Sequence, residues 1–552
     1  MTLLSSIRIG EINNPQVQAS SWTPLREPLF RALWVATLAS NIGTWIQDVG
    51  TVWLMTALAP TPIMVSLAQT AMNLPYFLLA LPAGALADVM DRRRLLLWSQ
   101  LWMAGSAVSL GLFTIGGVTT PWLLLLLTFS LGIGAALNAP AYQAITPEVI
   151  PKSQLRAAVA LNSVGINLAR AVGPALGGLV VGAAGSGVAF LLNAMTFVGM
   201  IVVLYRWKRV PHASVLPAER FVGAMRAGVR FIRHAPPLQA VLIRTAAFIL
   251  FGSALWALLP LIVRFEMQQG PGEYGLLLGC FGVGAVLGAA LLPRVRSKVS
   301  VDQLMVAATV LFAGVLLLLA VLRSFAGMGA ALLIGGTAWL TMLSSLNVSA
   351  QAAVPAWVRG RALAVYLLVF FGGMAGSSVV WGLIASSTGV STALVWAAAG
   401  LGLGLLTAIK YRLTAGETLD FTPSMHWPVP TLANEEQPEQ GPVFVTIEYL
   451  IDPARRVEFV QMMGRIEHIR RRDGAVQWEL LQDLANPARY IETFVVESWL
   501  EHMRQHERVT LADREVEKQV RQYHLGPYPP AVTHLVRSSL TGIPKEVING
   551  HH

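Results

Sequence analysis

Twelve apolar stretches follow one another between residues 30 and 409, each near the roughly 20 residues needed to cross about 30 Å of hydrocarbon. They run at 30–57, 62–87, 94–117, 121–145, 155–184, 187–206, 239–263, 273–292, 301–322, 327–350, 361–388 and 391–409. The polar positions between them alternate in charge. On one side fall Arg92, Arg93 and Arg94, then Lys152 and Arg156, a basic run from Arg206 to Arg233, then Arg294, Arg296 and Lys298, Arg359 and Arg361, and Lys410 and Arg412. The other side holds only Arg264 and Arg323. Basic residues in short loops stay on the cytoplasmic side. The pattern therefore predicts a twelve-helix polytopic membrane protein, with both termini in the cytoplasm.

The longest basic interval, 207–238, parts six spans from six. Within it, Phe221, Met225, Val229 and Ile232 recur at helical spacing over 218–234, with Arg220, Arg226, Arg230 and Arg233 on other faces. This predicts a basic amphipathic helix lying on the inner leaflet. The two halves echo each other: Leu137-Asn-Ala-Pro-Ala-Tyr-Gln-Ala-Ile-Thr-Pro147 in the fourth span answers Leu346-Asn-Val-Ser-Ala-Gln-Ala-Ala-Val-Pro355 in the tenth. Parallel six-helix repeats have this spacing. The expected organisation is a cytoplasmic tail (1–28), a first half (29–206), the linker (207–238), a second half (239–412), a flexible linker rich in Pro, Glu, Gln and Thr (413–441), an α+β domain (442–540) and a short tail (541–552).

Composition sharpens this division. Of 552 residues, 54% are hydrophobic and 13% charged, with mean hydropathy +0.57; soluble domains carry about 25% charged residues. Residues 29–412 hold 24 Lys and Arg against 8 Asp and Glu, whereas 413–552 hold 14 against 20. Two modules in different surroundings follow. The basic residues are spread over many loops rather than one face, which excludes nucleic acid as a partner. The one cysteine, Cys280, sits inside a span and excludes disulfides and cysteine-based metal sites. The first 28 residues have no signal-peptide core. No Gly-x-x-x-x-Gly-Lys-Ser/Thr is present, so ATP is not the direct energy source.

Several spans carry polar stripes. Asn41, Thr44, Asp48 and Thr51 share one face of the first; Gln69, Asn73 and Tyr76 do so in the second, Ser163, Asn167 and Arg170 in the fifth, and Ser344, Asn347 and Gln351 in the tenth, while Asn138 lies in the fourth. Polar groups at membrane depth need partners or water. These faces are expected either to line a central cavity or to hydrogen-bond helix to helix. Asp48 and Arg170 are ionisable, and are expected to neutralise each other across the cavity. Protonation of Asp48 would then break the pair, coupling proton entry to substrate exit; a purely structural ion pair is the rival reading.

The loop Gly84-Ala-Leu-Ala-Asp-Val-Met-Asp-Arg-Arg-Arg94 resembles the signature between the second and third helices of the major facilitator superfamily. Gly84, Leu86, Asp88, Arg92 and Arg93 match, while Val89 stands in place of Arg and Asp91 in place of Gly. The resemblance implies a cytoplasmic gate in which Asp88, Arg92 and Arg93 latch the outward-open state and Gly84 allows close packing. Gly173-Pro-Ala-Leu-Gly-Gly178 resembles the fifth-helix motif of drug/proton antiporters, carried by Gly173, Pro174, Gly177 and Gly178. Together with Val358-Arg-Gly-Arg-Ala-Leu-Ala364 and the fourth-span motif, these segments resemble the enterobactin-exporter-like, transmembrane-secretion-effector branch. That branch implies export of siderophore-like or drug-like small molecules across the bacterial inner membrane, by rocking of two halves, with the lipid bilayer and cargo as partners. With no ATP motif, a proton gradient is the expected energy source, and no cofactor is expected.

The acidic tail predicts a β-α-β-β-α-β order, with strands at 443–450, 476–482, 489–496 and 531–537 and helices at 453–472 and 499–523. This is the order of ferredoxin-like folds. It resembles the small α+β barrels of antibiotic-biosynthesis monooxygenases, which implies homodimerisation and a chemistry needing neither metal nor flavin. His502 and His506 lie one turn apart, near Trp478 and Glu492, with no third zinc ligand evident; they read as solvated helix histidines. The chain is read as a transporter rather than an enzyme. The rival is a membrane-anchored enzyme or ligand sensor acting through the tail.

Overall fold

The computed structural model describes residues 22–207, 230–355, 357–413, 420–424, 426–427 and 441–536. The expected tails 1–28 and 541–552 and the amphipathic stretch 218–234 therefore fall largely or wholly outside the described residues. Among those described, ten helical runs are long and apolar enough to cross a membrane. In chain order the helices are α1 (Pro28–Leu58), α2 (Pro62–Val89), α3 (Arg92–Ile115), α4 (Pro121–Val149), α5 (Leu155–Arg206), α6 (Pro236–Gly252), α7 (Ala254–Leu261), α8 (Pro271–Arg296), α9 (Val301–Val321), α10 (Phe325–Ala352), α11 (Arg359–Thr388) and α12 (Val390–Gly404).

Two local features bear on this count. Helix α1 has 31 residues, ample length to cross, but its polar stripe keeps it out of the apolar set. Helix α5 has 52 residues, twice the length a span needs, and Gly185 at φ 83° interrupts it, so two helices meet there. Only glycine adopts that φ without strain, and the turn lets the chain double back.

Helix starts follow local chemistry. Proline opens α1, α2, α4, α6 and α8, where its missing N–H is not needed. Ser300 and Ser324 cap α9 and α10 through their hydroxyls. Asp91, the departure from the loop signature, accepts the Arg94 backbone N–H at 2.9 Å and caps α3.

The halves meet unevenly. Across them, α2 packs on α11 and α5 on α8. The α2–α11 contacts involve the first part of α2: Thr70 donates to Ala375 O (2.9 Å), Gly382 lies against Ser66, and Tyr76 stacks on Phe371 at 4.6 Å. At the other end of α2, nothing lies within 4 Å of where a Gly84 Cβ would be. In this conformation no described residue makes the close packing expected at Gly84.

The tail is an antiparallel sheet of β1 (Val443–Leu450), β2 (Gln477–Gln482), β3 (Arg489–Val496) and β4 (Ala531–Val536), ordered β2-β3-β1-β4. Helix α13 (Arg456–Asp473) joins β1 to β2. Between β3 and β4 stand α14 (Trp499–Arg508) and α15 (Leu511–Arg521). The single helix expected over 499–523 is two, because Thr510 caps α15 in a reciprocal box with Asp513. Alternate residues Val443, Val445, Ile447 and Tyr449 enter the core with Phe459 and Phe494.

The segment expected as a flexible linker, 413–441, is partly built into this domain. Pro423 bridges to Thr510, His426 and Trp427 both bond Glu517 (2.8 and 3.1 Å), and the Arg470 guanidinium lies 4.9 Å from the Trp427 ring. One anchored tryptophan, half-buried, outweighs the disorder-prone composition around it. The domain also docks on the basic end of the helices. Glu501 accepts from Arg230 (3.2 Å) and Arg508 (2.6 Å), and Arg508 lies 4.4 Å from the Trp357 ring, just before α11.

Candidate functional site

A cavity of about 310 Å³ lies where the halves meet. Helix α1 contributes Thr44 and Asp48, α2 contributes Gln69, Asn73 and Tyr76, and α5 contributes Arg170. Asp48 is the one acid and Arg170 the one base among the lining residues. The structure thus brings both sequence-derived charges to one space, yet no ion pair joins them in this conformation. Aromatic rings fill much of the wall: Trp45, Trp256 and Trp339 follow one another at 6.4 and 5.9 Å between centroids, with Phe281 5.1 Å from Trp256.

The cavity closes at the end away from the basic loops. Trp53 of α1 stacks on Tyr274 of α8 at 5.9 Å, and Arg264 reaches across to Thr56 Oγ1 (2.9 Å) with its guanidinium 5.1 Å from the Trp53 ring. Arg323 pairs with Glu266 and donates to Ser391 (2.8 Å). The two charges that stood alone on the weakly charged side of the chain are therefore structural parts of that closed end.

The Gly173–Gly178 motif works at this junction. Cβ atoms at 173 and 177 would meet Trp45 Cβ at 2.6 Å and Ile46 Cα at 3.0 Å, so α5 lies against α1. A Cβ at Gly178 would come 2.5 Å from Pro271 O and 2.8 Å from Gly275 Cα, in the other half. Gly275 in turn leaves room for Pro174 O. Backbone meets backbone between the halves here, which only glycine permits.

Other sequence candidates lie elsewhere. Asn138 accepts from Gln100 (3.1 Å) and Ser99 (3.4 Å), tying α4 to α3. Asn167 donates to Ser163 O (2.9 Å), and Gln351 to Asn347 (2.7 Å), both on exposed faces. Asn41 is half-buried on α1 and lies outside the cavity lining. In the basic loop, Arg92 pairs with Glu148 at 2.7 Å and Arg93 donates to the Leu204 and Tyr205 carbonyls (2.8 and 2.7 Å), so α3 is fastened to the ends of α4 and α5 within one half. The side chain of Asp88 lies outside the described residues.

Sequence reasoning missed three features. Gln47 and Asn193 share a buried hydrogen bond of 2.6 Å beside the cavity; Gln47 stands off the stripe read in α1, and Asn193 is isolated. The wall tryptophans gave a usable signal, since Trp256 and Trp339 sit inside spans rather than near the interfaces where tryptophan collects. Arg244, buried in α6, pairs with Asp302 at 2.6 Å, and Asp302 also accepts the Leu413 N–H. In the tail, His502 is not solvated as expected. It is 1% exposed, its Nε2 lies 3.4 Å from His506 Nε2, and its ring is 4.8 Å from that of His534. Burial lowers the His502 imidazole from 6.5 to about 3 and His506 to about 4.

Comparison with known proteins gives the same architecture. The chain is 26% identical to the enterobactin exporter of Salmonella typhimurium over 71% of its own length and 94% of that protein's. It is 22% identical to the staphyloferrin A transporter of Staphylococcus aureus, over 59% and 82% of the two chains. Among solved structures, a bacterial homologue of the iron transporter ferroportin in an inward-facing state superposes with a TM-score of 0.56 at 16% identity, covering 70% of this chain and 98% of that one. An inward-facing bacterial homologue of the lysosomal transporter Spinster gives 0.54 at 14%, covering 72% and 98%. The description of the transmembrane secretion effector family matches residues 19–541, nearly the whole chain. With two helical halves around one cavity, the chain belongs to that family of major facilitator transporters.

Proposed function

We propose that the protein is a proton-coupled exporter of siderophore-like or drug-like molecules, with twelve helices in two six-helix repeats, a ferredoxin-like tail and both termini in the cytoplasm. The observation that carries this reading is the cavity between the halves, where Asp48 and Arg170 stand among aromatic walls without pairing. An unpaired carboxylate at membrane depth is costly, and it is held where cargo and protons compete for it. The names of the relatives, an enterobactin exporter and a staphyloferrin A transporter, support the cargo class.

In this reading the structure is the inward-open state. Cargo enters from the basic end and settles against the tryptophans with Arg170 available to an acidic group. The halves then rock about the Gly178–Gly275 joint, and the Trp53–Tyr274–Arg264 closure parts. Cargo hydroxyl or amine groups donate to the Asp48 carboxylate, and a proton arriving from outside takes that acceptor away and releases the cargo. The loop Asp88, Arg92 and Arg93 latches the opposite end while the outer side is open. Proteoliposomes with an imposed pH gradient test this: wild type should move catecholate siderophores or lipophilic drugs, and Asp48→Asn should insert normally yet lose gradient-driven movement. Transport by Asp48→Asn at the wild-type rate sinks the coupling role.

A further inference from the structure

The tail contains a second cavity that the transport cycle above does not use. It measures about 330 Å³ and lies between α13 and the edge strand β2. On α13, Arg456, Val460 and Gly464 recur every four residues and share one helix face; on β2, Trp478 and Leu480 alternate inward; Tyr490 lies on the neighbouring strand.

Four features mark it as built for a ligand. Tyr490 is 3% exposed, and its hydroxyl has no hydrogen-bond partner among the described residues; buried phenols normally find one. Gly464 sits inside a helix, where glycine is disfavoured, and nothing lies within 4 Å of where its Cβ would be. Any larger residue there would project into the opening. The Trp478 indole is fixed by its N–H bond to Glu492 (3.2 Å), so the ring is held as a wall. At the mouth, Glu467 is occupied by Arg471 (2.8 Å) and Gln482 by Pro487 O (2.9 Å), whereas Arg456 makes no ion pair among the described residues.

We propose that this cavity binds a small aromatic acid. Its ring lies against Trp478, Leu480 and Val460, an oxygen at its inner end accepts the Tyr490 hydroxyl, and its carboxylate faces Arg456. The guanidinium at the mouth selects an anion, and the buried hydroxyl selects a molecule with an oxygen on the far side of the ring, since leaving either group unmatched sacrifices binding. The site is distinct from the transport cavity and does not depend on that reading.

The test uses the purified full-length chain in detergent, titrated into fluorescent 6-hydroxy-2-naphthoate and followed by anisotropy. Saturable binding of one probe per chain is expected. Arg456→Gln should weaken it about tenfold and Tyr490→Phe about fivefold. Gly464→Leu should abolish it, while Gly464→Ala, with only one added carbon, should retain it. The neutral analogue carrying CH2OH in place of the carboxylate should bind about tenfold more weakly. Hydrogen exchange over 441–536 verifies folding; if Gly464→Leu loses protection, Val460→Trp serves as the filling variant. A flat wild-type titration to about 1 mM, or binding unchanged when the cavity is filled, overturns the proposal. Undiminished binding in the filled variants that is lost in Arg170→Gln would place the probe in the transport cavity and overturn it equally.

Discussion

The protein buries charge in two ways. In the tail, Arg470 is 4% exposed and donates to Glu492 (3.0 Å) and Glu517 (2.7 Å), while Tyr449 and His426 satisfy further carboxylate oxygens. The paired guanidinium holds the Glu517 carboxyl down to about 2 despite its burial. In the membrane half, Asp48 and Arg170 share a cavity and leave each other unpaired. A fully matched network fixes one structure, whereas two unmatched charges facing a common space keep two states within reach. The tail charges therefore serve the fold, and in the proposed reading the cavity charges serve the cycle.

Removing one member of each set should break the comparison most visibly. Arg470→Leu leaves two buried carboxylates without a counter-charge, and losing one partner of a buried pair costs about 3–5 kcal/mol. Hydrogen exchange over 441–536 should show the tail unfolding while α1–α12 remain protected. Asp48→Asn should leave thermal stability unchanged or raised, because no partner is orphaned. Equal destabilisation by the two substitutions would remove the distinction.

The joint between the halves comes next. Gly178→Val places side-chain carbon where Pro271 O and the Gly275 backbone already stand. Overpacking of this kind costs about 1–3 kcal/mol, and it should fall on the conformation shown here, closed at Trp53 and Tyr274, rather than on one in which that end has parted. Accessibility of a cysteine placed at 274 to a membrane-impermeant thiol reagent should rise severalfold in a Cys280→Ser background. No change would mean that the halves do not pivot at this contact.

Acid should act on the tail before it acts on the helices. His502 titrates near 6.5 when unfolded and near 3 when folded, so the unfolded state binds more protons between those values. Stability is then fully present above about pH 6.5 and falls with pH through that window, by up to about 1.4 kcal/mol per unit for this one group. His506 and His534 are displaced in the same direction, and Arg470 adds to the displacement of His502 and His506. Glu517 adds its own loss only below about pH 4.5. Exchange protection of 441–536 at pH 5 should be lower than at pH 7.5, and His502→Phe should flatten the difference.

Much of this was legible before the structure, for a physical reason. Hydrocarbon forces long apolar runs, and loop charge orients them, so the spans and the uneven basic end read directly from the chain. Asp48 and Arg170 stood out because ionisable residues inside such runs are rare. The aromatic wall was harder to see, since a tryptophan inside a span packs as well as it lines a cavity, and only Trp256 meeting Trp45 across the halves distinguishes the two. Arg244 escaped notice because its partner Asp302 lies 58 residues away, beyond any periodic pattern. The docked segment around Trp427 was hidden by composition, because a single anchoring side chain does not alter an average. His502 was misjudged because one turn of α14 shows the spacing of His506 but not the approach of His534 from β4.

The smallest effect expected is the most useful for relating the two regions. Glu501 gathers Arg230 from beside the first span of the second half and Arg508 from its own helix, while Arg508 also covers Trp357 ahead of α11. The side chains of Arg508, Glu501 and Arg230 are only 5%, 14% and 20% exposed. Gln keeps the volume and an acceptor oxygen at 501, and the cation–π contact of about 0.5–1 kcal/mol remains, so Glu501→Gln should loosen the docking without unfolding either part. Raised salt should act in the same direction but more weakly, because pairs this buried are screened less than surface ones. Crosslinking between cysteines introduced at 357 and 504 in the Cys280→Ser background reports the distance directly. The yield should fall about two- to fivefold in Glu501→Gln and by less in about 0.5 M salt, with protection of 441–536 intact. If the yield holds in both, the tail is anchored by its apolar contacts, and the charge network around Glu501 belongs with that of Arg470 as part of the domain's own fold.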